Sequence, residues 1–165
     1  RVVLVDGDMR SPSVHAQLGL LNDRGLSTFL AGAGNIEPLI QRPAEEPFAV
    51  MAAGPQPPNA AELLRSDRLE LLLSELLRDF DQVVIDAPPV MGLADAPIIS
   101  SRTEATVYVV EARGVKARMA RVAINRLRQA RAQILGTVLT KFEARSAHYG
   151  YGYDYGYGYG RNKPD

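Results

Sequence analysis

The 165 residues contain no cysteine, which excludes disulfides and thiolate metal sites and agrees with a reducing compartment. Histidine is nearly absent too. His15 and His148 stand too far apart for ligand-like spacing, so a zinc site is not expected. No apolar run approaches the roughly 20 residues that cross a bilayer, and no signal peptide is visible. Charge of one sign is also missing: 19 basic residues balance 19 acidic ones, so global charge points to no class of partner. Nor is there an initial methionine. The chain enters an apolar run within two residues of Arg1, and the expectation is a fragment whose upstream part lies elsewhere.

What is present suffices for one domain: 18.0 kDa, with 46% hydrophobic residues to build a core. Residues 2–5 form a continuous, mostly β-branched run, the pattern of a strand covered on both faces. GLSTFLAG (25–32) reads as a short helix closed by glycine, and 48–51 as a strand ending in the loop GPQPPN. Leu69, Leu72, Leu73, Leu76, Leu77 and Phe80 recur at helical spacing, with Ser66 or Asp67 as the cap. Residues 83–85 and 105–110 are further strands. Met119, Val122, Ala123, Leu127 and Ala130 mark a second amphipathic helix, and 134–139 a last strand. Strands alternating with helices predict a layered α/β domain with a mainly parallel sheet.

Two strands end alike, in VVLVDGDMRSP and FDQVVIDAPPV. Ligands of open α/β sheets bind beyond the carboxyl ends of the strands, so Asp6, Asp8 and Asp86 are expected to face one cleft. Gly7 lets the backbone turn closely between the first two. Three carboxylates at one edge repel each other unless a cation sits among them. A hard ion held largely through water, Mg²⁺, suits such a set beside phosphates. A lone aspartate at a strand end is ordinarily a turn or cap residue; the pair of motifs favours function.

Those stretches resemble the Walker A′ and Walker B motifs of bacterial tyrosine kinases, the P-loop kinases that accompany capsule and exopolysaccharide export. GLSTFLAG, AAGPQPPNAAELLRSDRLELLL, GLADAPIIS and ILGTVL resemble the family in the same order, across most of residues 1–142. The resemblance implies a three-layer, P-loop NTPase-like fold using ATP and Mg²⁺. Asp6 and Asp8 would serve as catalytic carboxylates, one near Mg²⁺ and one orienting or deprotonating a tyrosine hydroxyl. Asp86 would act on the metal through water. Arg10 and Pro12 also match the A′ pattern; Arg10 orients the loop, touches phosphate or pairs with an acid at the surface. Where the family often carries an adenine-contacting asparagine after the last strand, this chain has Thr140 and Lys141, which become the nucleotide-binding candidates.

The phosphate cradle G-x-x-x-x-G-K-[ST] is not in the sequence; Gly54 and Gly114 have the wrong context. In the family that loop lies upstream of the A′ strand. Residues 1–145 are therefore expected to be an incomplete kinase domain, truncated before the Walker A strand. Residues 146–165 are expected to be a flexible tail, in which Tyr149, Tyr151, Tyr153, Tyr155, Tyr157 and Tyr159 alternate mostly with glycine.

By resemblance those six tyrosines are autophosphorylation sites. Aromatic stacking on single-stranded nucleic acid is the weaker reading, because no arginine or lysine lies between Tyr149 and Tyr159, and no nucleic acid is expected as a partner. The helix over 116–131 has a basic face, read as a solvated surface or as one turned to acidic lipid or a partner subunit. The family implies a membrane polysaccharide co-polymerase, fused or separate, a ring of subunits, a cognate tyrosine phosphatase, and a cytoplasmic position at the inner face of the plasma membrane. A partitioning or positioning ATPase, or an inactive module retaining the fold, remain alternatives. The family's P-loop strand sits mid-sheet, so residues 1–165 expressed alone are expected to be poorly soluble and to bind ATP weakly. Nanomolar nucleotide binding by that segment, measured by calorimetry, refutes this.

Overall fold

A computed structural model describes residues 1–32 and 34–142. The six tail tyrosines lie outside the described residues. Strand β1 (Val2–Asp6) lies between β3 (Ala49–Met51) and β4 (Gln82–Asp86), parallel to both, and β2 (Ile40–Gln41) adds an antiparallel edge beside β3. The remaining strands, β5 (Thr106–Glu111) and β6 (Ile134–Thr140), pair in parallel as a second, two-stranded sheet. The expectation of a mainly parallel α/β fold is met, with one difference: the strands divide into two sheets instead of forming one.

The core gathers on one face of the larger sheet. Val3 and Val5 share a face because side chains alternate along a strand. They join one buried cluster with Leu26, Phe29 and Leu30 of helix α2 (Leu26–Leu30), Leu64 of α3 (Ala60–Arg65), and Leu69, Leu72 and Leu76 of α4 (Asp67–Asp79). Two further helices matter below: α5 (Asp95–Ser100) and α6 (Ala117–Gln129); a single turn, α1 (Val14–Gln17), follows β1.

Strands covered on both faces were expected, and the structure differs. Val84 of β4 is 42% exposed, Val107 and Val109 of β5 are 52% and 58%, and Leu135 of β6 is 75%. The expected stripe on α6 is only half right, since Ala123 and Leu127 are buried while Met119 and Val122 are exposed. Leu77 of α4 is likewise exposed. The two sheets are tied by α5 packing on α6 and by Arg126 Nη1, which donates to the Val90 carbonyl at 2.9 Å.

Helix α2 is seated on the extension of β3. Its first amides, from Leu26 and Ser27, donate to the carbonyls of Ala52 and Ala53 at 2.8 Å each, so neighbouring backbone satisfies N–H groups that a helix start leaves open. Gly25 allows that approach. A Cβ there would stand 1.9 Å from Ala52 O, a clash with backbone that no side-chain motion relieves. Asn22 holds the same corner, accepting from Gly54 N–H at 2.7 Å and donating to Gly54 O at 3.2 Å. Gly25→Ala is expected to lower unfolding free energy by at least about 3 kcal/mol. Gly136→Ala, whose added methyl meets nothing within 4 Å, is expected to change it little. Urea denaturation of both variants checks the contrast.

Candidate active site

The register of β1 and β4 puts Asp6 directly opposite Asp86. Partners on neighbouring strands point to the same face at about 4.8 Å separation, so the two side chains stand side by side at the carboxyl end of the sheet. Gly7 N–H donates to Asp86 O at 2.8 Å and continues the pairing by one residue. A Cβ on Gly7 would lie 2.8 Å from that oxygen and 2.9 Å from Ile85 Cγ2, so glycine is what lets the turn stay this tight.

The three carboxylates have different surroundings. Asp6 is fully buried, and its two oxygens are taken: Oδ1 accepts from Asp8 N–H at 3.1 Å and Oδ2 from Val14 N–H at 3.2 Å. Burial pushes its pKa up and the Asp8 charge adds to that; the amides of Val14, Asp8 and Ser13 pull it down, leaving a net rise. Asp8 accepts through Oδ1 alone, from the amides of Arg10 at 3.0 Å and Ser11 at 2.9 Å, so Oδ2 takes no hydrogen bond among the described residues. Asp86 also titrates high, first from desolvation and then from the charges of Asp6 and Asp8.

The three expected acids therefore share one electrostatic site. They do not form a direct cage: among the described residues, no three His, Cys, Asp or Glu side chains converge closely enough to hold a metal ion. An all-oxygen set in which the Asp8 charge pushes up the pKa of both Asp6 and Asp86 fits a hard cation held partly through water, the coordination habit of Mg²⁺.

Arg10 is engaged elsewhere than on a ligand. Its Nε and Nη2 reach Asp95 Oδ2 and Oδ1 at 2.7 and 3.3 Å, and Asp95 is 1% exposed at the start of α5. Gln56 Nε2 donates to Arg10 O at 2.8 Å and ties the same loop to the proline-rich segment. Of the readings open for Arg10, pairing with an acid is the one observed, although the acid is buried. Neither Asp95 nor Gln56 was foreseen. Both lie in stretches matched to the family, but nothing local marks an aspartate as the buried partner of an arginine 85 residues away.

Thr140 and Lys141 belong to the other sheet, at the end of β6. Thr140 Oγ1 donates to Val110 O at 3.4 Å, and Lys141 Nζ pairs with Glu111 at 2.9 Å. An apolar cavity of about 490 Å³ opens beside them, walled by Val110, Val115, Leu139 and Phe142 among others.

No family model matches the sequence. Individual proteins do. The chain is 33% identical over 151 residues to the tyrosine-protein kinase YwqD of Bacillus subtilis, covering 91% of this chain and 64% of that protein. It is 32% identical over 151 residues to a putative tyrosine-protein kinase, CapB, of Staphylococcus aureus, covering 90% and 66%. The chain thus spans just under two thirds of these relatives' length. Among solved structures, the kinase domain of the Escherichia coli tyrosine kinase ETK superposes with a TM-score of 0.84 at 31% identity, over 94% of this chain and 61% of that one. That coverage takes in both sheets. The cell division ATPase MinD of Pyrococcus furiosus matches at TM-score 0.64 and 28% identity, over 83% of this chain and 58% of that one, which marks the fold as P-loop NTPase-like.

The raised pKa values carry a consequence for stability. Asp86 binds its proton more tightly folded than unfolded, so stability falls as pH rises from about 4, the ordinary carboxylate value, through the folded pKa. At neutral pH the ionised group is a net cost that Asp86→Asn removes. Because the Asp86 side chain is exposed, the effect is expected to be small: in metal-free buffer the variant melts slightly above wild type at pH 7, with the gap closing toward pH 4. A lower melting temperature for the variant at pH 7 contradicts the assignment.

Proposed function

The chain belongs to the bacterial tyrosine-kinase family, and from that premise we propose that it is part of an ATP- and Mg²⁺-dependent catalytic domain that phosphorylates its own C-terminal tyrosines. The observation that carries the reading is the side-by-side placement of Asp6 and Asp86, with Asp8 close enough to raise the pKa of Asp86. We take residues 1–145 as the part of the domain carrying the A′ and B motifs and 146–165 as the substrate tail. The phosphate loop belongs to a parallel strand that fits between β4 and β5, where the two sheets part.

The hydrogen bonds divide the work among the acids. Asp6, with both oxygens bound by amides, shapes the loop and contributes its field. Asp8 keeps one oxygen free and is the carboxylate placed to orient an incoming tyrosine hydroxyl and take its proton. A tyrosine hydroxyl has a pKa of about 10, so it benefits from such a base. Asp86 faces the same cleft and would hold Mg²⁺ through water. Bound Mg²⁺ and ATP supply the phosphoryl group and the neutralisation of its charge. Arg10, bound to Asp95, holds the loop and is a positioning residue in this reading. Thr140 and Lys141, beside the second sheet's cavity, remain the proposed base-side contacts, with the Thr140 oxygen still able to accept a hydrogen bond.

The family places such kinases beside a polysaccharide co-polymerase, and we propose regulation of exopolysaccharide or capsule polymerisation and export from the inner face of the plasma membrane, in a ring of subunits served by a tyrosine phosphatase. Among the described residues no helix is long and apolar enough to cross a membrane. A positioning ATPase like MinD shares the two aspartate-ended strands but offers no role for six clustered tyrosines. Full-length protein incubated with MgATP is expected to carry phosphotyrosine within residues 149–159 by mass spectrometry. Asp8→Asn is expected to slow its appearance about 10²- to 10⁴-fold. ATP hydrolysis with an unmodified tail would favour the ATPase reading.

A further inference from the structure

Charge is unevenly spread along this neutral chain. Residues 112–142 hold eight arginines and lysines and no acid, whereas residues 1–111 hold eight bases and sixteen acids. Much of the excess lies on α6. At about 100° per residue, Arg118, Arg121 and Arg128 fall within an arc of about 80°, away from the buried Ala123 and Leu127. All three are exposed and have no side-chain partner among the described residues. Like charges at this spacing repel, so the stripe is a standing site for an anion.

The described residues end near the first turn of α6. Phe142 lines one cavity with Val115, Ala117 and Ala120, next to the first turn of α6. Tyr149 comes seven residues later and Tyr159 seventeen. Seven residues span up to about 23 Å, and the thirteen residues of α6 about 20 Å, so every tail tyrosine can reach the arginines. Residues 143–165 contain three acids and three bases, and this balance gives the unmodified tail no electrostatic reason to settle there. Each phosphate adds roughly −1.5 to −2 charges. On alternate residues of an extended chain, phosphates recur about every 6.7 Å, while Arg118 and Arg121 stand about 5–6 Å apart and Arg128 about 10 Å further along the helix, so an extended tail can place phosphates near all three.

We propose that the exposed arginine stripe of α6 is the docking surface for the phosphorylated form of this chain's own tyrosine-rich tail. The proposal rests on the tail being a phosphorylation substrate, as argued above. Charge-assisted Arg–phosphate bonds hold the modified tail, and tethering supplies an effective concentration in the millimolar range. A neutral tail is free to enter an active site; a phosphorylated one is retained against its own domain and shielded from phosphatases. An anionic membrane is the competing partner for the stripe. The tail's attachment a few residues from the first turn of α6 and the absence of any acid in residues 112–142 favour the tail.

Synthetic peptides covering residues 146–165, unmodified or phosphorylated at Tyr149, Tyr153 and Tyr157, separate docking from kinase activity. They are titrated by fluorescence anisotropy into full-length, phosphatase-treated protein. The phosphopeptide is expected to bind at least about 10-fold more tightly than the unmodified one, with the difference lost at high salt. Arg118→Gln/Arg121→Gln/Arg128→Gln is expected to erase it, and the corresponding lysine triple variant to recover part of it. Equal phosphopeptide affinity for wild type and the glutamine variant overturns the proposal, whether or not the protein phosphorylates its own tail. A variant that loses only cosedimentation with phosphatidylserine vesicles overturns it in favour of a lipid surface. Failure of the kinase reading shows separately, as missing tail phosphotyrosine after incubation with MgATP.

Discussion

A carboxylate buried at the end of the central strand sets the terms for the whole site. An ionised group out of water is costly unless hydrogen bonds replace its hydration. Asp6 finds those bonds in its own chain, from the amides of Asp8 and Val14, and this requires the loop to fold back over it. The fold-back fixes Asp8, which in turn collects the amides of Arg10 and Ser11. Arg10 then reaches the buried Asp95 and fastens the loop to α5. One buried charge therefore dictates the course of residues 6–14 and links segments far apart in sequence.

The parts of this arrangement legible from sequence were those written in local pattern. Strands β1 and β4 announce themselves as β-branched runs, and each ends in the aspartate that matters. Helix α4 follows from its leucine spacing. Ser66 or Asp67 was expected as its cap; Ser66 takes the N-cap position, but its hydroxyl donates back to Leu63 O at 2.6 Å instead of capping α4. Ser66 both ends α3 and begins α4, and with its extended backbone it serves the helix that precedes it. Helix α5 escaped because it is six residues long with a proline inside its first turn, and β2 because two residues carry no period. Periodicity also overstated the covering of α6. It predicts which residues share a face; whether anything packs on that face is decided elsewhere in the molecule.

The same distinction explains the sheet. Continuous apolar runs at β4, β5 and β6 imply burial on both sides, yet Val84, Val107, Val109, Leu135 and Val138 are all more than 40% exposed. Side chains stand on the faces of a sheet, so these residues mark faces of β4, β5 and β6 that the described residues leave open. The edges of β4 and β5 that end their sheets carry unpaired main chain, which a parallel strand between them would satisfy. Placing a phosphate-binding strand there brings its loop to the carboxyl end of β4, beside Asp86. The open edge of β4 and the acidic cluster are both consistent with the phosphate-binding strand proposed above.

Charge separation gives the catalytic cluster and the basic helix complementary parts. A neutral tyrosine approaches Asp6, Asp8 and Asp86 without electrostatic penalty, whereas a phosphotyrosine left beside them meets like charge. In the proposed reaction, proton acceptance and product expulsion would therefore draw on the same carboxylates. The expelled group must then go somewhere. Solvent screens it within about 8–10 Å at physiological salt, so only a basic surface close to the tail's point of exit competes for it. Helix α6 is such a surface: its arginines lack local acids to neutralise them, and its first turn adjoins the residue where the described chain ends. On the proposed function, Mg²⁺ is what lets the phosphates of ATP approach these carboxylates; without it they disfavour phosphotyrosine while the arginine-lined helix favours it, and the two together would sort a tethered tail by its modification state.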